Sequence, residues 1–276
     1  LYVSENSLDA GKKLSELYPH LLGTVDDVLK PLTPENLAEA HKADAVFLCT
    51  AHKVSAELAG GFYDRGVKVF DLSGAFRVPE PDFYEKYYGF THPRQDLLPK
   101  AVYGLAEWNH DQIASADLVA VAGCYPTASL TALKPLEKAG LIKSGSMPII
   151  NAVSGVTGSG RKATMTNSFC EVSLAPYGVF RHRHRPEISY HLGQKVLFQP
   201  HLGCFRRGIL ATIYVELADG VTDDAIAAAY HSAYDGKKLV RLTDRWPSVL
   251  GVAGTPYVDV HYEREGSELI VVSAID

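Results

Sequence analysis

A cysteine lies where a short apolar strand should give way to a helix. Residues 118–121 predict a buried strand and 123–127 (Gly-Cys-Tyr-Pro-Thr) a turn, and residues 128–138 predict a helix that Pro135 should kink or end early. Such a turn aims the thiol of Cys124 at the free N–H groups of the helix start, where the helix dipole favours thiolate. Taken alone, a free cysteine is more often a small buried hydrophobe. The hypothesis of a nucleophile therefore depends on the motifs around it.

A second cluster of chemically active side chains occupies residues 181–188 (Arg-His-Arg-His-Arg-Pro-Glu-Ile). His182 and His184 lie two apart and would point the same way on an extended segment. Pro186 should start a helix, with Glu187 in its first turn. Three interpretations stay open: a solvated basic turn, a metal site that lacks a clear third ligand, or a histidine base for a distant cysteine beside anion-binding arginines.

A glycine-rich loop at residues 154–162 (Ser-Gly-Val-Thr-Gly-Ser-Gly-Arg-Lys) follows a predicted strand. Its backbone N–H groups would suit an anion. It is not a Walker A loop, because Arg161 and Lys162 follow the last glycine without a Ser or Thr. A dinucleotide loop is also weakly supported, since residues 163–171 make a poor amphipathic helix. Contact with a ligand shared between two domains is the favoured interpretation.

An arginine, Arg77, follows another predicted strand at residues 67–72. A guanidinium at a sheet edge can bind a phosphate or carboxylate with two parallel hydrogen bonds. An ordinary surface arginine is the alternative.

The elements that must position these groups follow two different sequence patterns. In the first part, apolar strands alternate with helices, which indicates a parallel sheet covered on both faces, with ligands bound at the carboxyl edge. In the second part, helices are few and the pattern favours an α+β domain with a mainly antiparallel sheet. The predicted strands are 45–49, 67–72 and 118–121, then 148–153, 195–198, 209–215, 258–262 and 268–272. We place the boundary at residue 123, which gives domains 1–123 and 124–276.

The composition limits the class of protein. The chain has 276 residues, of which 46% are hydrophobic and 21% charged, as in a soluble globular protein. A net charge of −5 gives no argument for binding nucleic acid or an anionic membrane, and no membrane-spanning run is visible. The four cysteines match no zinc spacing, so we expect no metal, and reduced thiols fit a cytoplasmic protein.

Taken together, these segments resemble the N-acetyl-γ-glutamyl-phosphate reductases. The two motifs around Cys124 and His184 are highly specific in combination. The resemblance extends along nearly the whole chain, in segments 71–77, 84–90, 103–108, 123–127, 167–179, 182–188 and 200–208.

The resemblance implies a reaction and the residues that perform it. An acyl phosphate would be reduced by NADPH to a semialdehyde, with release of phosphate, through a thioester on Cys124. His184 would act as base and acid, although His182 is close enough to contest that role. Arg77 would hold the substrate phosphate, and Glu187 would contact the substrate.

The resemblance also implies the remaining site residues and the assembly. Ser154 and His182 would complete the substrate site, in a homodimer or homotetramer formed through the second domain. The expected fold is a Rossmann-like parallel-sheet domain beside the α+β domain. The residues that match cofactor-binding positions for NADP(H) are Ser4, Lys12, Ser73, Gly74, Pro126 and Gly155.

The sequence departs from the family pattern at both ends. In the family, a strand and a glycine-rich turn that cradles the pyrophosphate precede the counterpart of Leu1, and a long helix follows the counterpart of Asp276. We therefore expect an incomplete Rossmann-like domain, and poor activity of this segment by itself. At Ala75 an acidic residue is common in the family. Two rival functions stay open: a lysine-pathway reductase with a carrier-linked substrate, and an inactive ligand-binding remnant.

Overall fold

The computed structural model describes residues 1–276, which form a parallel sheet, a mixed sheet and a short two-stranded sheet. The strands are β1 (Tyr2–Val3), β2 (Lys30–Pro31), β3 (Ala45–Leu48), β4 (Lys68–Asp71), β5 (Val102–Gly104), β6 (Leu118–Val121), β7 (Ile149–Ser154), β8 (Ala175–Pro176), β9 (Leu197–Leu202), β10 (Ile209–Glu216), β11 (Val240–Leu242), β12 (Val258–Glu265) and β13 (Glu268–Ile275). The helices are α1 (Leu14–Leu17), α2 (Pro34–Ala40), α3 (His52–Tyr63), α4 (Pro81–Tyr88), α5 (Ala106–Ser115), α6 (Cys124–Lys138), α7 (His184–Leu192), α8 (Asp223–Tyr234) and α9 (Val249–Val252).

The first domain contains the predicted parallel sheet, in the order β3-β4-β6-β5. All three strand pairings are parallel. On the edge strand β3, Phe47 is 65% exposed and stacks on Phe70, with ring centroids 4.8 Å apart. An edge strand has a neighbour on one side only, so less of its surface is buried.

The second domain contains a seven-stranded sheet in the order β11-β12-β13-β10-β7-β9-β8. Four of its six pairings are antiparallel, as the sequence predicts. One face is closed by helix α6, and Ile150, Ile213 and Val271, which lie side by side on neighbouring strands, are fully buried there.

Helix α6 carries the chain from one domain to the other. It begins directly after β6 of the parallel sheet, yet it packs against α7, α8 and strands of the mixed sheet. Its buried leucines Leu130, Leu133 and Leu136 belong to a hydrophobic cluster that also includes Tyr103 of β5. The segment around Gly123 is therefore shared by both domains.

Of the two outcomes expected at Pro135, a kink or an early end of α6, the early end does not occur, because the helix continues to Lys138. Proline has no N–H group to donate to the carbonyl four residues earlier, which belongs to Thr131. The Tyr234 hydroxyl of α8 donates to that carbonyl instead, at 2.6 Å. The tertiary contact satisfies the acceptor that the proline leaves free.

Other predicted elements are present with shifted ends. The strand expected over 195–198 is β9, which covers Leu197–Leu202, and the strand expected over 258–262 is β12, which continues to Glu265. None of the helices has both the length and the apolar character needed to cross a membrane.

The Tyr234 hydroxyl donates to the Thr131 carbonyl in place of the N–H that Pro135 lacks, and this substitution of one donor for another can be tested with a double-mutant cycle. Tyr234→Phe removes the donor and should lower the free energy of unfolding by about 1–3 kcal/mol. In a Pro135→Ala background the cost should be smaller, because the N–H that the alanine restores can donate to Thr131. Urea unfolding of the four proteins measures the coupling.

Tyr230→Phe is the matched control for this cycle. Its hydroxyl donates to the carbonyl of Ala132, at 2.7 Å, and no proline lies four residues after Ala132. Its cost should be the same in the unaltered chain and in the Pro135→Ala background. Equal costs for Tyr234→Phe in both backgrounds would contradict the interpretation.

Candidate active site

The thiol of Cys124 stands on the first helical residue of α6, just beyond the carboxyl end of β6. Gly123 is the N-cap residue, and its carbonyl accepts from the Thr127 N–H at 2.8 Å and from the Thr127 hydroxyl at 2.9 Å. Cys124 itself is accessible to solvent. The turn thus presents the sulfur at the ligand-binding edge of the parallel sheet.

The Cys124 thiol does not have the low pKa that its helix position suggests. Burial among the surrounding residues raises its pKa, and the nearby Glu187 carboxylate adds to this; the Tyr125 N–H and the Arg77 guanidinium oppose the rise. The thiol form therefore dominates near neutral pH. A nucleophilic role then requires a group that accepts the proton.

The absence of a side chain at Gly123 allows two functional groups to approach the cysteine turn closely. A Cβ atom at this position would lie 2.7 Å from His184 Nε2 and 2.8 Å from Arg77 Nη1. Both distances are shorter than real Cβ contacts, so any larger residue would displace one of these groups. Residues distant in sequence converge here because Gly123 has no side chain.

His182 and His184 lie together at the start of α7, which begins at His184 and not at Pro186 as predicted. Their ring centroids are 4.9 Å apart. Burial lowers the pKa of His184 well below its usual value, and burial and Arg183 lower the pKa of His182 to about 4. Both rings are neutral near pH 7 and can accept a proton. His182 Nδ1 is already used, since it accepts from the His184 N–H at 3.2 Å.

Arg77 is buried and tied to the ends of two parallel strands. Its Nε donates to the carbonyl of Val121 at 2.8 Å, and Nη2 donates to the carbonyl of Leu72 at 3.0 Å. Nη1 lies 3.3 Å from Glu187 Oε2. The guanidinium is therefore fixed beside the cysteine turn, as the sequence predicts for a group at the sheet edge.

Glu187 is fully buried and bonds to the protein through both oxygens. Oε1 accepts from the Gly123 N–H at 3.0 Å and from the Tyr103 hydroxyl at 2.8 Å. Oε2 lies 3.9 Å from His184 Nε2. These bonds favour a role in positioning the site over the expected contact with substrate.

The glycine loop after β7 is less open to an anion than its sequence suggests. The N–H groups of Gly155, Val156 and Thr157 all donate to carbonyls in residues 205–208. Ser154 is buried and its hydroxyl donates to the Gly155 carbonyl at 2.9 Å. The start of this loop is thus fixed on a neighbouring segment.

Ser73 and Gly74 also use their polar groups inside the protein. The Ser73 hydroxyl donates to Asp71 at 2.9 Å and accepts from the Ala75 N–H at 3.1 Å. The Gly74 N–H donates to Nδ1 of His52 at 2.8 Å. These bonds fix the turn after β4. The Ser73 hydroxyl and the Gly74 N–H therefore already have partners within the protein.

The other predicted cofactor residues lie in different surroundings. Pro126 is buried in the first turn of α6, whereas Ser4 is exposed. Lys12 lies 3.2 Å from Asp9, and the other oxygen of Asp9 lies 3.1 Å from Arg161 of the second domain. This brings two cations together at the surface. Arg161 and Tyr103 are site residues for which the sequence motifs gave no role.

The fold and this arrangement define an oxidoreductase of the semialdehyde dehydrogenase class. Residues 1–116 match the family described as semialdehyde dehydrogenase, NAD binding domain, and residues 124–276 match the semialdehyde dehydrogenase, dimerisation domain. Solved structures agree in fold. The chain is similar to a probable aspartate-semialdehyde dehydrogenase from Pseudomonas aeruginosa, with a TM-score of 0.71 and 17% identity over 100% of this chain and 84% of that chain. It is also similar to aspartate semialdehyde dehydrogenase II from Vibrio cholerae, with a TM-score of 0.69 and 13% identity over 100% of this chain and 83% of that chain.

Curated relatives narrow the class further. The chain is 64% identical to the N-acetyl-gamma-glutamyl-phosphate reductase of Tolumonas auensis and 60% identical to that of Aeromonas salmonicida, over 100% of this chain and 83% of each relative. The chain belongs to the N-acetyl-gamma-glutamyl-phosphate reductase family. The resemblance found in the sequence is thereby confirmed.

The raised pKa of Cys124 predicts how its alkylation depends on pH. Only the thiolate reacts, so the rate should climb with pH and reach half its maximum above the usual cysteine value of about 8.5. Peptide mass spectrometry after timed treatment with iodoacetamide separates Cys124 from the other exposed cysteines, at 49, 170 and 204.

Two variants sharpen this measurement. Arg77→Leu should move the midpoint to still higher pH, because the guanidinium lowers the pKa of the thiol. Arg207→Leu, which removes an exposed guanidinium bonded to Asp276, should leave it unchanged. A midpoint below the usual value in the unaltered protein would mean that the helix start and Arg77 outweigh burial.

Proposed function

We propose that this protein catalyses the NADPH-dependent reduction of N-acetyl-γ-glutamyl phosphate to N-acetylglutamate 5-semialdehyde, with release of phosphate. The observation that carries the proposal is the convergence of Arg77, His184 and Glu187 on the turn that presents Cys124. The identity of 64% to a reductase of that name supports the choice of substrate.

The first chemical step is assigned to Cys124 and His184. The neutral imidazole takes the thiol proton, and the sulfur attacks the acyl carbon. The bond to phosphate breaks, phosphate leaves with the electron pair, and a thioester remains on the cysteine. The Glu187 carboxylate, 3.9 Å from His184 Nε2, stabilises the imidazolium that forms.

The second step returns the enzyme to its starting state. When bound, NADPH supplies the hydride that reduces the thioester carbonyl. His184 donates its proton to the oxygen of the resulting thiohemiacetal and takes it back as the carbon–sulfur bond breaks. The aldehyde is released and the sulfur leaves as thiolate, which is a good leaving group as well as a good nucleophile. His184 then returns its proton to the sulfur, which restores the thiol and the neutral imidazole.

The substrate is proposed to lie between Arg77 and the histidine pair. A fixed guanidinium recognises the phosphate that becomes the leaving group and neutralises its charge. We propose His182 and Ser154 as further residues of the substrate site. The Glu187 carboxylate acts from behind this surface, through its bonds to Arg77 and Gly123.

The residues present fit an anionic nucleotide cofactor. Lys12 and Arg161 place two exposed cations on Asp9, and such a pair can hold a nucleotide phosphate. We propose Ser4 and Lys12 for the adenosine side. For the end that approaches the cysteine, we propose Ser73, Gly74, Pro126 and Gly155.

An open face of the mixed sheet supports assembly into a homodimer. Ile149, Tyr214 and Ile270 lie directly opposite one another on β7, β10 and β13 and are 40%, 41% and 39% exposed. They stand on the face away from α6, and an exposed apolar row of this kind is typical of an interface. A homotetramer would need a further surface.

We also propose that the boundary between the two domains lies at residue 123 and that the protein acts in the cytoplasm.

The assignment of the base predicts unequal effects of the two histidines. His184→Gln should lower kcat by about 10²–10⁴-fold, because it removes the proton acceptor, while the KM for NADPH should change little. His182→Gln should cost less. Initial rates of NADPH oxidation with N-acetyl-γ-glutamyl phosphate measure both effects.

The same assay separates the rival functions. Activity confined to a carrier-protein-linked acyl phosphate would favour the lysine-pathway alternative. Ligand binding with no turnover of either substrate would favour the remnant. A larger loss in His182→Gln than in His184→Gln would reverse the roles of the two histidines.

The dimer predicts that a charge on the open face separates the protomers. Tyr214→Glu should shift the mass measured by light scattering after size-exclusion chromatography from dimer to monomer, because the carboxylate would be buried without a partner. Leu250→Glu is the control, since Leu250 is 90% exposed and stands in α9, outside that row. An unchanged mass for Tyr214→Glu would place the interface elsewhere.

A further inference from the structure

Two aromatic rings lie behind the candidate active site. Tyr103 on β5 and His191 on α7 are stacked, with ring centroids 3.4 Å apart and planes 15° from parallel. They come from different domains. Each also makes one hydrogen bond to a residue of the candidate active site.

One of these two bonds is to Glu187 and the other is to Arg77. The Tyr103 hydroxyl donates to Glu187 Oε1 at 2.8 Å, and burial raises the pKa of Tyr103 well above its usual value, so it stays protonated. Burial lowers the pKa of His191 to about 4, so its neutral Nε2–H donates to the Arg77 carbonyl at 2.7 Å. The stacked pair thus contacts both members of the buried ion pair.

The Tyr103 bond determines how the Glu187 carboxylate is turned. Oε1 takes the bonds from Tyr103 and from the Gly123 N–H, which leaves Oε2 to face Arg77 and His184. Without the hydroxyl, the carboxylate is free to rotate toward Arg77, since bidentate pairs with arginine are favoured. The Gly123 N–H would then lose its acceptor, and Cys124 follows directly in the chain.

We propose that Tyr103 is a positioning residue of this reductase, which acts through Glu187 to hold the Cys124 turn, Arg77 and His184 in register. This inference rests on the proposed function for its kinetic readout, but alkylation of Cys124 tests it without turnover. Tyr103 need not touch the substrate.

The charged surroundings determine the direction of the expected change at Cys124. Loss of the Tyr103 hydroxyl removes one donor from the Glu187 carboxylate and draws the Arg77 guanidinium into a closer pair with it. The guanidinium then stabilises the Cys124 thiolate less, so the pKa of the thiol rises. The titratable and charged groups that surround Glu187 are Arg77 after β4, Tyr84 and Tyr88 of α4, Tyr103 of β5, Cys124 of α6 and His184 of α7.

Tyr103→Phe is the direct test, because it keeps the ring that stacks on His191 and removes only the hydroxyl. We expect kcat to fall by about 10- to 100-fold with the KM for NADPH unchanged. The midpoint of Cys124 alkylation should move to higher pH. Tyr230→Phe, which loses an equally buried hydroxyl that donates to Ala132, should change neither quantity.

A cycle with Glu187→Gln tests whether Tyr103 acts through Glu187. In that background, Tyr103→Phe should add little further loss of kcat and little further change in the alkylation midpoint. Additive effects, or a Tyr103→Phe protein that behaves like Tyr230→Phe, would overturn the proposal. If the unaltered protein does not reduce N-acetyl-γ-glutamyl phosphate, the proposed function fails, and the alkylation cycle still decides the role of Tyr103.

Discussion

The buried ion pair between Arg77 and Glu187 is the interaction on which the site depends. Removing two charges from water costs several kcal/mol per ion, and only close and complete partnering offsets that cost. Here the carboxylate is met by a guanidinium, a phenol and a backbone N–H, and the guanidinium is also bonded to two strand-end carbonyls. The pair therefore joins Arg77 of the first domain to Glu187 of the second domain beside the cysteine.

The same junction is held by helix α6, which leaves one sheet and packs on the other. Because α6 begins at Cys124, the packing of this helix on the second domain also determines where the sulfur lies. The hydroxyl of Tyr234 on α8 supports this helix at the carbonyl that Pro135 leaves without a donor. The turn at the active end is thus anchored by packing far from it.

The electrostatics of the site favour an uncharged Cys124 thiol and uncharged rings of His182 and His184 in the resting state. The pKa of the thiol is raised, and the pKa values of His182 and His184 are lowered, in each case with burial as the largest cause. The proton can move from sulfur to imidazole without a net change in charge within the protein. Arg77 and the Glu187 carboxylate then face the thiolate and the imidazolium that result.

The sequence by itself determined the order of the elements and which side chains are proposed as the reacting groups. Apolar runs between helices predicted the parallel sheet, and a series of strands with few helices between them predicted the mainly antiparallel one. The motifs at Cys124 and His184 identified the family. Local patterns were less reliable at Pro135 and at residues 154–162, where contacts from other segments satisfy or occupy the backbone groups.

Only the tertiary structure decided which polar groups face a ligand and which are used to hold the site. Glu187 meets Gly123 across 64 residues of sequence and Tyr103 across 84, and no local pattern encodes such pairs. The raised pKa of Cys124 could likewise not be predicted from the sequence. The sequence indicated a helix start, which lowers the pKa of a thiol, but not the burial that raises it. Chemical identity is a property of the residue, whereas burial and partnership depend on residues that only folding brings together.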